Sequence, residues 1–125
     1  MKRILIVEDD WDLIRGLSIC LKVAGYGVLL AQDGVAALST AVTQHPDLIL
    51  LDIGLPAGGG FWVLECLRKN MNTIITPVIV LTGNDPAAVK DKALAMGAAM
   101  FFQKPVDNEE LLKAIRQHTG EAQPA

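Results

Sequence analysis

Acidic, hydroxyl and lysine side chains follow four separate apolar runs in this sequence. Glu8 and Asp9 come directly after the first run, Asp52 and Thr82 come directly after two later runs, and Lys104 follows the last run after one intervening residue. If these runs are parallel strands of one sheet, their carboxyl ends share one edge, and ligands bind in the crevice outside that edge. The sequence therefore predicts that three carboxylates, a hydroxyl and an ammonium group converge on one pocket.

Carboxylates that lie this close repel one another, and one of them would be protonated unless a cation neutralised the group. Mg²⁺ suits such a site, because it binds carboxylates, waters and phosphate oxygens, and the sequence offers no His/Cys set for a softer metal. With its charge shielded, an oxygen of Asp52 is able to attack phosphorus and form an acyl phosphate. Lys104, the Thr82 hydroxyl and nearby backbone N–H groups would supply positioning and further neutralisation. The pattern thus indicates Mg²⁺-dependent phosphoryl transfer.

The elements that must position these residues are five short apolar runs that alternate with five longer stretches of helical periodicity. The runs cover residues 4–7, 28–31, 48–51, 78–81 and 99–102. Because they are continuously apolar, they are typical of strands that are buried on both faces of a parallel sheet. The alternation predicts an α/β fold of the (βα)5 type: a doubly wound, flavodoxin-like sheet of five parallel strands in the order 2-1-3-4-5.

Residues that favour helix ends support the predicted helix boundaries. Gly25 and Gly97 follow the first and fourth helical stretches, where a left-handed C-terminal residue is favoured. Asp33 and Gly34 open the second helix, and Asp10 stands where the first helix needs an N-cap.

The composition indicates one compact domain. The 125 residues include 11 Lys plus Arg and 14 Asp plus Glu, for a net charge of −3, and 51% of them are hydrophobic. No basic run favours nucleic acid or an anionic membrane, and the apolar runs are far shorter than the ~20 residues of a membrane helix. We expect a cytoplasmic protein with a domain over residues 1–118, followed by a polar tail or the start of a linker at 119–125.

The order and spacing of the site residues resemble a known signalling family. The sequence is similar, over residues 2–117, to the CheY-like receiver domain of response regulators in two-component signal transduction. The resemblance rests on five features at matching spacing: Glu8-Asp9, Asp52, the run Asp52-Ile53-Gly54-Leu55-Pro56 with Gly60, Thr82, and Lys104-Pro105.

The resemblance implies a phosphoacceptor and a metal site. Asp52 is the expected phosphoacceptor, and a sensor histidine kinase or phosphotransfer protein is the expected donor. Mg²⁺ is the expected cofactor, bound by Asp52, by Asp9 directly, by Glu8 mainly through water, and by the main-chain carbonyl of Gly54. The only chemistry expected is phosphorylation and dephosphorylation of the chain's own aspartate, so the protein is not expected to be an enzyme that acts on separate substrates.

The resemblance also implies a switch. Lys104 is expected to pair with the phosphoryl group and Thr82 to donate a hydrogen bond to it, while Phe101 takes the place of the family's rotating aromatic residue. Phosphorylation would then change the surface of the fourth helix, fifth strand and fifth helix, which an output partner or effector domain would read. The Lys104–Pro105 peptide bond is expected to be cis.

Three other functions compete with this interpretation. A pseudo-receiver, which docks a partner without taking phosphate, stays open as the alternative, although the acids, the threonine and the lysine that such modules lose are all present. A haloacid-dehalogenase-like phosphatase would need a second aspartate two residues after Asp52, and Gly54 stands there. A flavodoxin-like cofactor carrier would need a phosphate loop after the first strand, where Glu8 and Asp9 would repel a phosphate.

Two positions and one segment depart from what many receivers show. Gly54 offers only its carbonyl, and Asn84 carries an amide where others carry a charge. Both flank the expected path of a hydrolytic water, so we expect them to tune the lifetime of the phosphoryl group. Residues 97–102 lack the aspartate pair of the winged-helix transcription factors, so the salt-bridged dimer of that subfamily is not expected.

Overall fold

The computed structural model describes residues 1–54, 59–83 and 86–120, and within them five strands alternate with five helices. The strands are β1 (Arg3–Val7), β2 (Gly27–Ala31), β3 (Leu48–Asp52), β4 (Val78–Thr82) and β5 (Met100–Gln103). The helices are α1 (Trp11–Val23), α2 (Gly34–Gln44), α3 (Gly59–Lys69), α4 (Pro86–Ala95) and α5 (Asn108–Thr119). Leu55 and Pro56 of the family motif and Asn84 lie outside the described residues.

All neighbouring strands pair in parallel, and the sheet order is β2-β1-β3-β4-β5. The (βα)5, doubly wound, flavodoxin-like fold that the sequence predicts is confirmed. All five strands run in the same direction, which the crossover connections between them make possible. Every strand therefore ends at the same edge of the sheet.

The strands differ from the prediction in their first and last residues and in how deeply the two edge strands are buried. Asp52 and Thr82 are the last residues of β3 and β4, not the first residues after them, and β5 begins one residue late, at Met100. Burial on both faces holds for β1, β3 and β4, whereas β2 and β5 are only partly buried. These two strands form the edges of the sheet, where the helices cover them incompletely.

Helices cover both faces of the sheet and create two cores. Leu5 and Val7 of β1 face one core, which holds the buried residues of α2, α3 and α4, such as Ala37, Leu64 and Ala93. Ile4 and Ile6 face the other core, which holds the buried residues of α1 and α5, such as Leu17, Leu21 and Ile115. Alternate residues of a strand point to opposite faces, so the continuous apolar run of β1 fills both cores.

The predicted helix signals are confirmed. The side chain of Asp10 accepts hydrogen bonds from the backbone N–H groups of Asp12 and Leu13 at the start of α1. Asp33 accepts one from Ala36 at the start of α2, at 2.8 Å. Gly25 and Gly97 have φ values of 96° and 100°, which disfavour any residue with a Cβ. In the described part of the chain, no helix combines the length and the apolar character that crossing a membrane requires.

Candidate functional site

The sheet order brings the polar residues together at one edge. β1 and β3 are neighbours, with Val7 paired to Leu51, so Glu8 lies beside Asp52 at the ends of these strands. β4 lies on the other side of β3, and its last residue, Thr82, pairs with Gln103 of β5. Lys104 follows directly, and its backbone N–H donates a hydrogen bond to the carbonyl of Thr82 at 2.8 Å.

Three carboxylates form a compact cluster at this edge. Glu8, Asp9 and Asp52 each place one oxygen within 4.8 Å of the others. Glu8 and Asp52 are buried, whereas Asp9 is exposed. Hard oxygen donors at this spacing, open to solvent on one side, fit Mg²⁺, which binds through a few carboxylates and keeps several waters. The structure therefore places together the three acidic side chains that the sequence singled out.

The lysine of the site binds two of these carboxylates. The ammonium group of Lys104 contacts Oε1 of Glu8 directly and lies 3.5 Å from Oδ1 of Asp52. The sequence placed Lys104 near Asp52 but did not foresee Glu8 as its closest partner. The side chain of a glutamate is one methylene longer than that of an aspartate. A glutamate at position 8 was therefore the sequence feature that could have indicated a contact with the lysine.

The environment of Glu8 raises its pKa to about 7. Burial disfavours the charged carboxylate most, and the hydrogen bond and negative charge of Asp52 add to the effect, while Lys104 opposes it. Burial alone would lower the pKa of Lys104. The hydrogen bond to Glu8 and the charges of Asp52 and Glu8 outweigh this penalty, so the pKa of Lys104 is raised and its ammonium group stays charged.

The turn after β3 holds the side chain of Asp52. The backbone N–H of Gly54 donates a hydrogen bond to Oδ1 of Asp52 at 3.1 Å, and Ile53 donates its N–H to the carbonyl of Leu81. Gly60, in the first turn of α3, donates its own N–H to the carbonyl of Ile53 at 3.1 Å. Strand β4 and helix α3 therefore both fix the position of the turn that follows Asp52.

Gly60 of α3 touches this turn so closely that a side chain does not fit. A Cβ there would lie 2.4 Å from Cα of Ile53 and 2.7 Å from the carbonyl oxygen of Asp52. These are backbone atoms and cannot swing away. Sequence reasoning used Gly60 only as part of a motif and missed this packing role.

The two predicted switch residues occupy different places. Thr82 is fully buried at the end of β4, next to the carboxylate cluster along the sheet edge. Phe101 lies in β5, opposite Val80 of β4, and packs partly buried against the core that α2, α3 and α4 cover. Phe101 is therefore a residue of this core and not of the carboxylate cluster. A switch residue that acts by rearrangement does not have to touch the cluster. The Lys104–Pro105 bond is cis, as predicted.

The family model of the response regulator receiver domain matches residues 4–116 of this chain. The chain belongs to the response regulator receiver family. Receiver domains of this family accept phosphoryl groups from histidine kinases in two-component systems.

Curated relatives of this receiver differ in length. The DNA-binding dual master transcriptional regulator RpaA of Synechocystis is 40% identical over 116 residues, which cover 93% of this chain and 48% of RpaA. Protein PilH of Pseudomonas aeruginosa is 37% identical over 115 residues, which cover 92% of this chain and 95% of PilH. The receiver thus spans about half of the first relative and nearly all of the second.

A solved receiver structure shares the fold and holds a metal ion. The receiver domain of the sensor histidine kinase PA1611 of Pseudomonas aeruginosa, with magnesium coordinated in its active site cleft, matches with a TM-score of 0.89 at 30% identity. The match covers 96% of this chain and 98% of that domain. Magnesium in a relative of this similarity agrees with the oxygen donors found here.

Proposed function

We propose that this receiver takes a phosphoryl group from a partner histidine kinase or phosphotransfer protein onto Asp52 in a reaction that requires Mg²⁺. One observation carries the proposal: three carboxylates lie within 4.8 Å of one another, and the Lys104 ammonium group lies 3.5 Å from Oδ1 of Asp52. This combination supplies a nucleophile, a cation site and a fixed positive charge in one pocket.

Four residues would hold the metal ion. Asp9 and Asp52 would provide carboxylate oxygens, Glu8 would act mainly through a bound water, and Gly54 would add its main-chain carbonyl. When bound, Mg²⁺ neutralises the carboxylates and the charge that develops on the phosphoryl oxygens. Asp9, the exposed member of the cluster, is the carboxylate that an arriving hydrated ion meets first.

The chain's own residues account for the transfer step. An oxygen of Asp52 attacks the phosphorus of a phosphohistidine, a P–O bond forms, and the P–N bond breaks as the imidazole leaves and takes up a proton. Lys104 holds the charged phosphoryl group against Asp52, and the Thr82 hydroxyl donates a hydrogen bond to it. Water later attacks the same phosphorus, which releases inorganic phosphate and restores the carboxylate. The receiver therefore catalyses only changes to its own side chain.

The signal leaves through the surface of α4, β5 and α5. Phosphorylation draws Thr82 toward the new oxygens and opens space into which Phe101 rotates, so that two packings of β4, α4 and β5 exchange. The position of Phe101 in β5, packed on the core that α4 covers, supports this route.

We assign residues 1–118 to the receiver domain and residues 119–125 to a tail or linker. Helix α5 runs one residue past this boundary, to Thr119, and its cap at Gly120 supports an end of the domain here. Residues 121–125 lie outside the described residues. The output partner is an effector, attached or separate, and this domain itself binds neither nucleic acid nor membrane. The cytoplasmic location stays a prediction from the sequence.

Intact-mass measurement after incubation with acetyl phosphate tests the proposal. We expect wild-type protein to gain the mass of one phosphoryl group with Mg²⁺ and none without it, and Asp52→Asn to gain none. Asp91→Asn, which changes an exposed aspartate on α4, is the matched control and should gain the group as wild type does. A wild-type protein that gains no mass with Mg²⁺ would favour the pseudo-receiver. If Asp52→Asn gained a hydroxylamine-labile phosphoryl group at the wild-type rate, the assignment of Asp52 as the acceptor would be refuted.

A further inference from the structure

A cation–π contact joins α4 to α3. The ammonium group of Lys92 in α4 lies over the ring of Phe61 in α3, 4.2 Å from the ring centroid. A cation within about 6 Å of a centroid is attracted by the negative face of the ring. Within the described ranges Lys92 forms no ion pair, so the ring of Phe61 is the partner that holds its charged group.

The α3 end of this contact is firmly positioned. Phe61 follows Gly60, whose backbone N–H donates a hydrogen bond to the carbonyl of Ile53 in the turn after Asp52. The ring of Phe61 is partly buried and packs against the core that α2, α3 and α4 cover. Helix α3 is further fixed by its buried residues Val63, Leu64 and Leu67. Phe61 is therefore tied to the turn that holds the proposed phosphoacceptor.

Helix α4 is attached through smaller side chains. Among the α4 side chains that the structure describes, only Val89 and Ala93 are buried, and Leu94 is 41% exposed. Small side chains bury little apolar area and contribute little to holding a helix in one place. A cation–π contact, by contrast, requires the charge to stay over the ring face. Lys92 therefore adds a contact that depends on where α4 lies relative to α3.

Two observations assign the Lys92–Phe61 contact to the packing that precedes the proposed switch. Lys104 contacts Glu8 and lies 3.5 Å from Oδ1 of Asp52, whereas in the proposed function it binds the phosphoryl group. Phe101, which the proposed switch rotates into the core, is only partly buried. The contact is thus made while both switch elements hold their starting positions.

We propose that the Lys92–Phe61 contact stabilises the unphosphorylated packing of α4 and thereby opposes the switch. The inference rests on the proposed function, in which α4 changes its packing when Asp52 is phosphorylated. A contact made in only one of two packings shifts the equilibrium between them by its own free energy. For a cation–π contact at an exposed site this shift is about two- to fivefold. A ligand that binds the switched packing then binds the wild-type chain more weakly by about the same factor.

Beryllium fluoride with Mg²⁺, which should bind Asp52 as a mimic of the phosphoryl group, tests the inference. Lys92→Met removes the charge and keeps a long side chain. We expect this variant to bind beryllium fluoride about two- to fivefold more tightly in a calorimetric titration, because its switched packing is more populated. Without any ligand, amide exchange in α4 should be faster by a similar factor, because the contact no longer holds the helix.

Three further variants locate the effect. Phe61→Leu should change both quantities in the same direction, and adding Lys92→Met to it should change neither of them further. Lys92→Arg keeps a cation that can lie over the ring and should match wild type. Lys90→Met removes another exposed charge of α4 and should also match wild type, which separates loss of the ring contact from a general change in the charge of the helix.

Three results would overturn the inference. In the first, Lys92→Met leaves both quantities at their wild-type values. In the second, Lys92→Met weakens the binding of beryllium fluoride, which would assign the contact to the switched packing. In the third, Lys92→Arg changes both quantities as much as Lys92→Met does. If the wild-type protein binds no beryllium fluoride, the proposed function fails instead, and the exchange measured without ligand still shows whether Lys92 holds α4.

Discussion

Lys104 binds Glu8 more closely than it binds Asp52. Its ammonium group contacts Oε1 of Glu8 and lies 3.5 Å from Oδ1 of Asp52. Glu8 is nearly inaccessible to solvent, so without the lysine its charge would be buried beside that of Asp52. One cation therefore serves two acids, and any metal ion that enters the cluster competes with Lys104 for Glu8.

The first prediction concerns pH. Because the pKa of Glu8 is raised to about 7, and a divalent ion beside Glu8 favours its charged carboxylate even through a water, Mg²⁺ binding should release a proton below that pH. The affinity for Mg²⁺ should then rise about tenfold per pH unit between about pH 5 and 6.5 and level off above about pH 7.5. A Trp62→Phe variant leaves Trp11, beside the cluster, as the fluorescent reporter for Mg²⁺ titrations.

Two substitutions check the origin of this pH dependence. Glu8→Gln, which cannot titrate, should flatten the profile, whereas Asp9→Asn should remove most of the fluorescence response at every pH. An unchanged midpoint and amplitude in Asp9→Asn would show that the ion binds elsewhere. A profile in Glu8→Gln with the wild-type slope would show that another group releases the proton.

The same pKa predicts how stability changes without metal. The folded chain keeps the Glu8 proton up to about pH 7, whereas the unfolded chain loses it near the usual value of 4.5. Between these values the folded state binds more protons, so the free energy of unfolding should fall as pH rises through this window. Urea denaturation in EDTA should show the decline, and Glu8→Gln should reduce it.

The second prediction separates two roles of Lys104. Lys104→Met removes the positive charge that we propose binds the phosphoryl group. The rate of phosphorylation by acetyl phosphate should therefore fall about ten- to hundredfold, which is the cost of losing a charge-assisted hydrogen bond. The affinity for Mg²⁺ should rise, because Glu8 and Asp52 lose a competing cation. Lys69→Met, which breaks an exposed pair with Glu65, is the control and should change neither quantity. A parallel fall in rate and metal affinity would contradict the assignment.

Much of this molecule could be predicted from its sequence because its signals are local. Continuous apolar runs identified the five strands, and Asp10 and Asp33 marked the starts of α1 and α2. The meeting of Glu8, Asp9 and Asp52 followed from the topology alone, since parallel strands end at one edge.

The parts that could not be predicted depend on side-chain reach and on surfaces that only the assembled fold creates. The contact between Lys104 and Glu8 depends on the length of the glutamate side chain at the end of β1 and on the path of the chain after β5. The groove that Trp11 and Leu30 line joins residues of α1 and β2 that are far apart in the sequence. Incomplete cover of β2 and β5 also depends on how far the helices extend over the sheet edges.

The third prediction concerns the switch. Beryllium fluoride with Mg²⁺ should bind Asp52 as a mimic of the phosphoryl group that we propose it carries, so amide exchange should change in β4, α4 and β5, well beyond the proposed metal site. Phe101→Ala leaves the acceptor intact but removes the side chain that we expect to rotate. In this variant the change around Asp52 should persist while the change in α4 and β5 shrinks. Exchange that changes only near residues 8, 9 and 52 would defeat the proposed switch.

The fourth prediction concerns the contact of Gly60 with the turn that follows Asp52. Gly60→Ala places a methyl group 2.4 Å from Cα of Ile53, and only a shift of α3 or of the turn relieves the clash. Overpacking of this kind costs about 1–3 kcal/mol, so the urea midpoint should fall. Because the carbonyl of Ile53 and the side chain of Asp52 belong to the same turn, the rate of phosphorylation should fall as well.

Gly16→Ala is the matched control for this prediction. Gly16 lies inside α1, and a Cβ there meets no atom within 4 Å. Alanine should therefore stabilise the protein by about 0.5–1 kcal/mol through its higher helix propensity, with no effect on phosphorylation. If Gly60→Ala instead matched wild type in both stability and rate, α3 would have to move freely relative to the turn. The close packing of Gly60 would then have no part in positioning Asp52.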